Sequence, residues 1–360
     1  MSRPPLHHPF LHPFLAELLA SGAVSAVTAL VGTADRIEAS GAAGVARRDR
    51  AADLDTCFDL GSLTKPFVAT LALALDAAGE LPLALPVGEV WPRADPRLAR
   101  LPLADLLSHR AGFAAWAPLY ERCTSREEAL ALLLGGELLG EAPGTYSDLD
   151  FILWARAAEE RLGRPLWDLL AERVLAPLGL SSPPGITLAP GDQPFVAESR
   201  MGTGKEVELA AEQGRAIADL GPPAPGEVQD GNARFLIGLG VALPGNAGLF
   251  GRARDLWRLG VEWLRPGRLF SEEAKTAALA RGEGLYALGW VRRNVEGSAG
   301  PAIGPHSFGH SGFAGGSLWI DPERERILVL LGARTDPAVN LNLWRRRFHA
   351  LAYDEGTAGA

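Results

Sequence analysis

Gly61-Ser62-Leu63-Thr64-Lys65 heads the run SLTKPFVATLALALDAA (62–78), and its reading decides the fold. The run is apolar throughout its middle and is closed by Gly79, which predicts a helix from Ser62 to Ala78. Pro66 agrees only if the helix starts near Ser62, because proline is tolerated in a first turn and not later. Ser62 and Lys65 are three apart, so they share a helix face. A helix N-terminus offers free N–H groups and the positive end of its dipole, which favours an alkoxide or a developing oxyanion at Ser62. An amine beside a hydroxyl can take its proton if it is neutral part of the time, and burial lowers a lysine pKa in that direction. Only Lys65, Lys205 and Lys275 among the 35 Lys+Arg residues are lysines. Arginine cannot serve as a base, so a lysine here stands out.

Upstream, VSAVTALV (24–31) is apolar with β-branched residues, TADR (33–36) suits a turn, and 37–45 returns, which predicts a hairpin. Before it, Phe14, Leu15, Leu18 and Leu19 fall on one face of a helix that Gly22 ends. Downstream, helical pieces are expected over 102–109, 126–135, 148–162 and 165–177, and long irregular loops over 181–233. Strands are expected again at 285–293, 315–320 and 326–333, with a turn at DPER (321–324) and a closing helix over 339–352. Strands at both ends with helices between imply one sheet built from both termini around a helical insertion.

Two more segments carry chemistry. In Pro143-Gly144-Thr145-Tyr146-Ser147-Asp148, a tyrosine stands just before a helix, where a nearby cation would help its phenol act as a base. In Gly309-His310-Ser311-Gly312-Phe313-Ala314-Gly315-Gly316, glycines before an edge strand let a substrate approach the backbone. There the Phe313 N–H, with that of Ser62, can form an oxyanion hole. Plainer alternatives are a tyrosine packed at a helix start with Asp148 as its cap, and a glycine-rich hairpin with a partly exposed histidine.

Taken in order, SLTK (62–65), YSD (146–148) and HSG (310–312) resemble the serine β-lactamase family, in the branch of class C β-lactamases, D-Ala-D-Ala carboxypeptidases and related esterases. That pattern reads S-x-x-K, Y-x-N, then K-T-G or H-x-G. FDLGSLTKPF, LADLLSHRAGF, PGTYSDLDFIL, RVLAPLGL, NAGLFGRARDL, YALGW and GHSGFAGGSLWIDPE extend the likeness over roughly 14–350. The resemblance implies an α+β, β-lactamase/transpeptidase-like fold. Its antiparallel sheet with flanking helices would come from 1–82 and 236–360, and a mainly helical domain from 83–235. It implies that Ser62 is acylated, Lys65 assists its deprotonation, and Tyr146 activates the deacylating water. His310, Gly312, Phe313 and Asp148 would line the substrate and oxyanion site. Asp148 stands where asparagine is usual, and would favour a charged lysine or simply hold it. His310 replaces a lysine, so a permanent cation for a substrate carboxylate is missing and esters are favoured. The expected function is therefore a serine hydrolase of carboxylic esters. The alternatives are a β-lactamase or D-amino-acid peptidase, and a non-catalytic binding protein on the same scaffold.

Composition narrows the field. A chain of 360 residues is longer than the roughly 250–300 at which single cores stop growing. Net charge is −8, against nucleic acid or an anionic membrane surface as partner. Cys57 and Cys123 make no disulfide framework, and Cys57 sits in an apolar run as a buried thiol would. Prolines and histidines interrupt the N-terminus, no secretory signal is recognised and no long apolar run occurs, so a cytoplasmic location without a membrane span is expected. No cofactor or metal is expected. His7, His8 and His12, or His306 and His310, are too loosely placed for a metal site. Gly238, Gly240 and Gly245 lack a dinucleotide-site context. GHSGF, with Asp336 and His349, follows the order of an α/β-hydrolase triad around Ser311, but Phe313 breaks the motif and little chain remains. Oligomeric state and physiological substrate are left open.

Overall fold

The hairpin expected near the N-terminus forms from β1 (Val24–Gly32) and β2 (Ile37–Arg47), with Leu30 opposite Ser40. The computed structural model describes residues 10–48, 50–180, 196–282 and 284–354. The remaining strands are β3 (Arg50–Ala51), β4 (Phe58–Asp59), β5 (Phe250–Gly251), β6 (Val291–Arg292), β7 (Phe308–Ser311), β8 (Ser317–Asp321) and β9 (Arg326–Arg334). Seven of them make one sheet, in the order β3-β2-β1-β9-β8-β7-β6, antiparallel throughout. β4 and β5 form a separate two-stranded ladder beside the Ser62 turn.

Period-two alternation explains why β1 and β9 are buried on both faces. Val27, Ala29, Val31, Leu328 and Leu330 pack with Leu11, Phe14, Leu15 and Phe348, from the helices Leu11–Ala20 and Leu341–Tyr353. Ala26, Leu30, Val329 and Leu331 point the other way, toward Val68, Leu256, Leu259 and Trp263. That second core continues through Leu133, Phe151 and Trp154 of the helices Arg126–Leu134 and Asp148–Leu162. The chain is thus an antiparallel sheet covered on both faces by helices, with the helix-rich middle segment packed on one face through a continuous core.

Several expectations are corrected. Of 285–293 only Val291–Arg292 is a strand, because Gly289 turns the chain at φ +74°. The stretch expected as irregular holds the helix Gly204–Glu212, and Asp230 caps a further helix, Gly231–Gly238. Residues 181–195 of that stretch lie outside the described residues. Helices Ala253–Leu264 and Glu272–Ala280 have no counterpart in the sequence reading. The strand that follows HSG, β8, pairs with both β7 and β9 and is not an edge strand, while the HSG histidine lies within β7, which over His310–Ser311 pairs only with β8. Both cysteines are free and buried. Among the described residues no helix is long and apolar enough to cross a membrane.

Gly289 also seats the helix that carries Lys65. Its N–H donates to Leu107 O, and a Cβ there would stand 2.1 Å from the Cβ of Ala69. Gly289→Ala adds a backbone penalty at positive φ to an overlap with helix Thr64–Ala77. It is expected to destabilise the protein by at least ~3 kcal/mol in urea unfolding, and a loss under ~1 kcal/mol would contradict this packing.

Candidate active site

Ser62 lies in a 3₁₀ turn, Gly61–Leu63, that runs into the helix Thr64–Ala77. The turn is clamped by Asp59, whose Oδ1 accepts the Gly61 N–H (2.8 Å) and whose Oδ2 accepts the Gln229 N–H (2.8 Å). Gly61 itself takes φ +49°, a region where a side chain would be strained. Thr64 Oγ1 accepts the Leu249 N–H, tying the helix start to the chain just before β5.

Lys65 is fully buried under Ser62. Its ammonium donates to Ser62 Oγ (3.0 Å), Asp148 Oδ1 (2.5 Å) and the Asn246 carbonyl (2.9 Å). Three donors meet three acceptors, which suits a charged amine. The other two lysines make surface pairs, Lys205 with Glu208 and Lys275 with Glu272. The phenol oxygen of Tyr146 lies 2.8 Å from Ser62 Oγ and 3.5 Å from Asp148 Oδ1. The phenol therefore meets the hydroxyl of a residue 84 positions away in sequence.

Burial by itself pulls the Lys65 pKa down, but Asp148 and then Tyr146 outweigh it, and the net shift is upward, toward the charged amine that a carboxylate at position 148 is expected to favour. Burial also pushes the Tyr146 phenol up; Lys65 opposes this and Asp148 adds to it. His310 is 4% exposed, not partly exposed, and its Nδ1 donates to Ser311 O at 3.0 Å. Burial first, then the charge of Lys65, pushes its imidazole down to about 3, so it is neutral at pH 7.

Ser62, Tyr146, Asp148, His310, Gly312 and Phe313 all line one cavity of about 720 Å³, with Lys65 beneath it. A Cβ on Gly61 would lie 3.8 Å from the Phe313 nitrogen, and one on Gly312 2.6 Å from Leu60 O, so the two backbone segments nearly touch. The Phe313 ring is 40% exposed, with the Arg334 guanidinium 4.7 Å above it. Asp59, Asp148, Glu206 and Asp230 all contribute carboxylates to the lining. Burial raises Glu206 to about 8 and Asp230 to about 6, with the neighbouring carboxylates adding. Sequence reasoning missed Asp59, Asn246, Glu206 and Asp230. NAGLFGRARDL contains Asn246, but its contribution is a main-chain carbonyl, which no side-chain pattern marks.

The rival constellations are not assembled. His349 is buried with Nδ1 on Ala299 O, and Asp336 Oδ1 accepts the Ala338 N–H, so neither orients Ser311. His306 pairs with Glu323. Gly240 and Gly245 sit in the loop after the helix Gly231–Gly238, and among the described residues no strand leads directly into that helix as a dinucleotide site requires. His7 and His8 lie outside the described residues.

The sequence model of the family called Beta-lactamase matches residues 12–352. The chain belongs to the Beta-lactamase family. Members of this family are serine hydrolases. A putative D-alanyl-D-alanine carboxypeptidase of Escherichia coli O157:H7 is 28% identical over 272 residues, covering 68% of this chain and 60% of that protein. The β-lactamase-family chain thus spans less than two thirds of that relative. Esterase EstB of Burkholderia gladioli is 29% identical over 314 residues, covering 74% and 76% of the two chains. Among solved structures, EstCE1, described as a hydrolase with promiscuous acyltransferase activity, superposes with a TM-score of 0.73. It is 20% identical and covers 94% of this chain and 97% of its own, a likeness of fold. The fold is the β-lactamase/transpeptidase-like one that the three motifs imply.

Proposed function

We propose that this family member hydrolyses neutral carboxylic esters through an acyl-enzyme on Ser62. One observation carries the reading: at the floor of the cavity, Ser62 Oγ stands 3.0 Å from the Lys65 ammonium and 2.8 Å from the Tyr146 phenol oxygen. The reactive form has Tyr146 as phenolate beside charged Lys65. The phenolate takes the Ser62 proton as Oγ attacks the ester carbonyl, and the Ser62 and Phe313 N–H groups receive the oxyanion. Tyr146, now a phenol, returns that proton to the departing alkoxide. The regenerated phenolate then deprotonates the water that attacks the acyl carbonyl, and Tyr146 passes that proton to Ser62 Oγ as the acid leaves. Lys65 stays charged and stabilises each anionic oxygen in turn.

Ester preference rests on charge. His310 is neutral where a lysine would meet a substrate carboxylate. Lys205, Arg334 and Arg345 line the same cavity as Asp59, Asp148 and Asp230, so an anionic β-lactam or peptide C-terminus lacks the cation at that one position, beside Ser62. The likeness to EstB supports the same choice. The test is intact-mass analysis during exposure to p-nitrophenyl esters and to β-lactams. Short-chain esters are expected to give a transient acyl adduct on Ser62 and steady release of acid. A lasting β-lactam adduct without ester turnover would move the assignment to the β-lactamase or peptidase alternative. No adduct at any pH would leave the binding-protein reading.

A further inference from the structure

Behind Tyr146 lies a buried pair that the acyl-transfer steps do not use. His109 is 3% exposed and Asp150 fully buried, with His109 Nδ1 3.2 Å from Asp150 Oδ2. The Ser147 N–H donates to the same His109 Nδ1 at 3.2 Å, and the Gly144 N–H donates to the His109 carbonyl at 2.7 Å. His109 therefore holds the chain on both sides of Tyr146. Its ring packs on the Tyr146 ring at 4.6 Å between centroids, and Tyr286 closes the cluster at 5.1 Å from His109 and 5.7 Å from Tyr146. His109 also keeps a left-handed backbone, φ +56°, uncommon for a residue other than glycine.

We infer that His109 is a positioning residue that fixes the Tyr146 phenol on Ser62, with Asp150 holding its imidazole; the inference rests on the acyl-enzyme reading above. The protonation states agree. Because Nδ1 accepts the Ser147 N–H it carries no proton, so the proton in its contact with Asp150 Oδ2 comes from the carboxyl, and the two donors share the one lone pair. Burial, with the charge of Lys65 adding, pulls the His109 pKa well down. Burial, with Asp148 adding, pushes the Asp150 pKa well up. A neutral acid therefore faces a neutral imidazole, and the orphaned Asp150 Oδ1 is easier to bury as the carbonyl of an acid than as half of an anion. Phenol placement matters because a shift of about 1 Å in a reacting group can lower the rate about 10²-fold.

The test compares His109→Phe, which keeps a ring but loses the acceptor, with His109→Asn, which puts an acceptor near the Nδ1 position and tolerates positive φ. With a p-nitrophenyl ester, His109→Phe is expected to lower kcat about 10²-fold while KM moves less than about threefold. His109→Asn should recover kcat to within about tenfold of wild type. In a Tyr146→Phe background, His109→Phe should add less than about threefold, since its effect runs through the phenol. If His109→Phe does not fold, His109→Gln, whose amide reaches toward the Nε2 position, serves in its place and should show the same loss. A folded variant with wild-type kcat, or an equal loss in the Tyr146→Phe background, overturns the inference. Full activity in Tyr146→Phe alone would instead sink the acyl-enzyme reading on which it rests.

Discussion

Ser62→Ala is expected to lower kcat/KM at least ~10⁴-fold for any ester the wild type hydrolyses, and to abolish the acyl adduct in intact-mass spectra. The size follows from the site working as a unit: with no Oγ there is nothing for Tyr146 to deprotonate and nothing for the oxyanion donors to receive. Ser62→Ala combined with Tyr146→Phe should therefore be no worse than about threefold below the single variant. The fold should survive. Lys65 keeps Asp148 and the Asn246 carbonyl as acceptors, and the Asp59 clamp on the turn is untouched. A folded Ser62→Ala enzyme within tenfold of wild type would refute the nucleophile.

Asp148→Asn carries the second large effect, in pH dependence more than in structure. Asp148 raises the pKa of Lys65 and of Tyr146, so its charge works against forming the phenolate. Asparagine keeps an oxygen for the Lys65 ammonium but removes the negative charge. Lys65 then acts on Tyr146 without its counter-charge, and the phenol ionises more easily. The acid limb of the kcat/KM profile reports ionisation of the base in the free enzyme. In wild type it should rise into the alkaline range. In Asp148→Asn it should move toward lower pH by about one unit or more, with kcat/KM at pH 7 rising up to tenfold per unit. An unmoved limb, or one moved to higher pH, would mean that Asp148 is not what restrains the phenol.

Both departures from the family pattern bear on charge. Replacement of lysine by His310 is expected from sequence to remove a permanent cation, and burial pushes the imidazole toward its neutral form. Asp148 in place of asparagine is expected to favour a charged Lys65, and with Tyr146 it outweighs the burial that pulls the other way. The proposed mechanism accordingly gives the base role in both steps to Tyr146, which the family resemblance implies for the deacylating water.

What the sequence determined by itself is local. Small, apolar and β-branched residues over 24–31, followed by the turn at 33–36, make the β1–β2 hairpin. Pro66 and Gly79 bound the helix under Ser62, and three-residue spacing puts Lys65 on the face of Ser62. These follow from backbone propensity and periodicity, which act over a few neighbouring residues. The charge environment of the site comes from the tertiary structure. Lys65 is held toward its charged form by Asp148, 83 residues on, and by Tyr146, against its own burial, while burial pushes His310 toward its neutral form. The physical reason is that a pKa depends on charges and solvent within a few ångströms, and folding brings those from segments that the sequence keeps far apart.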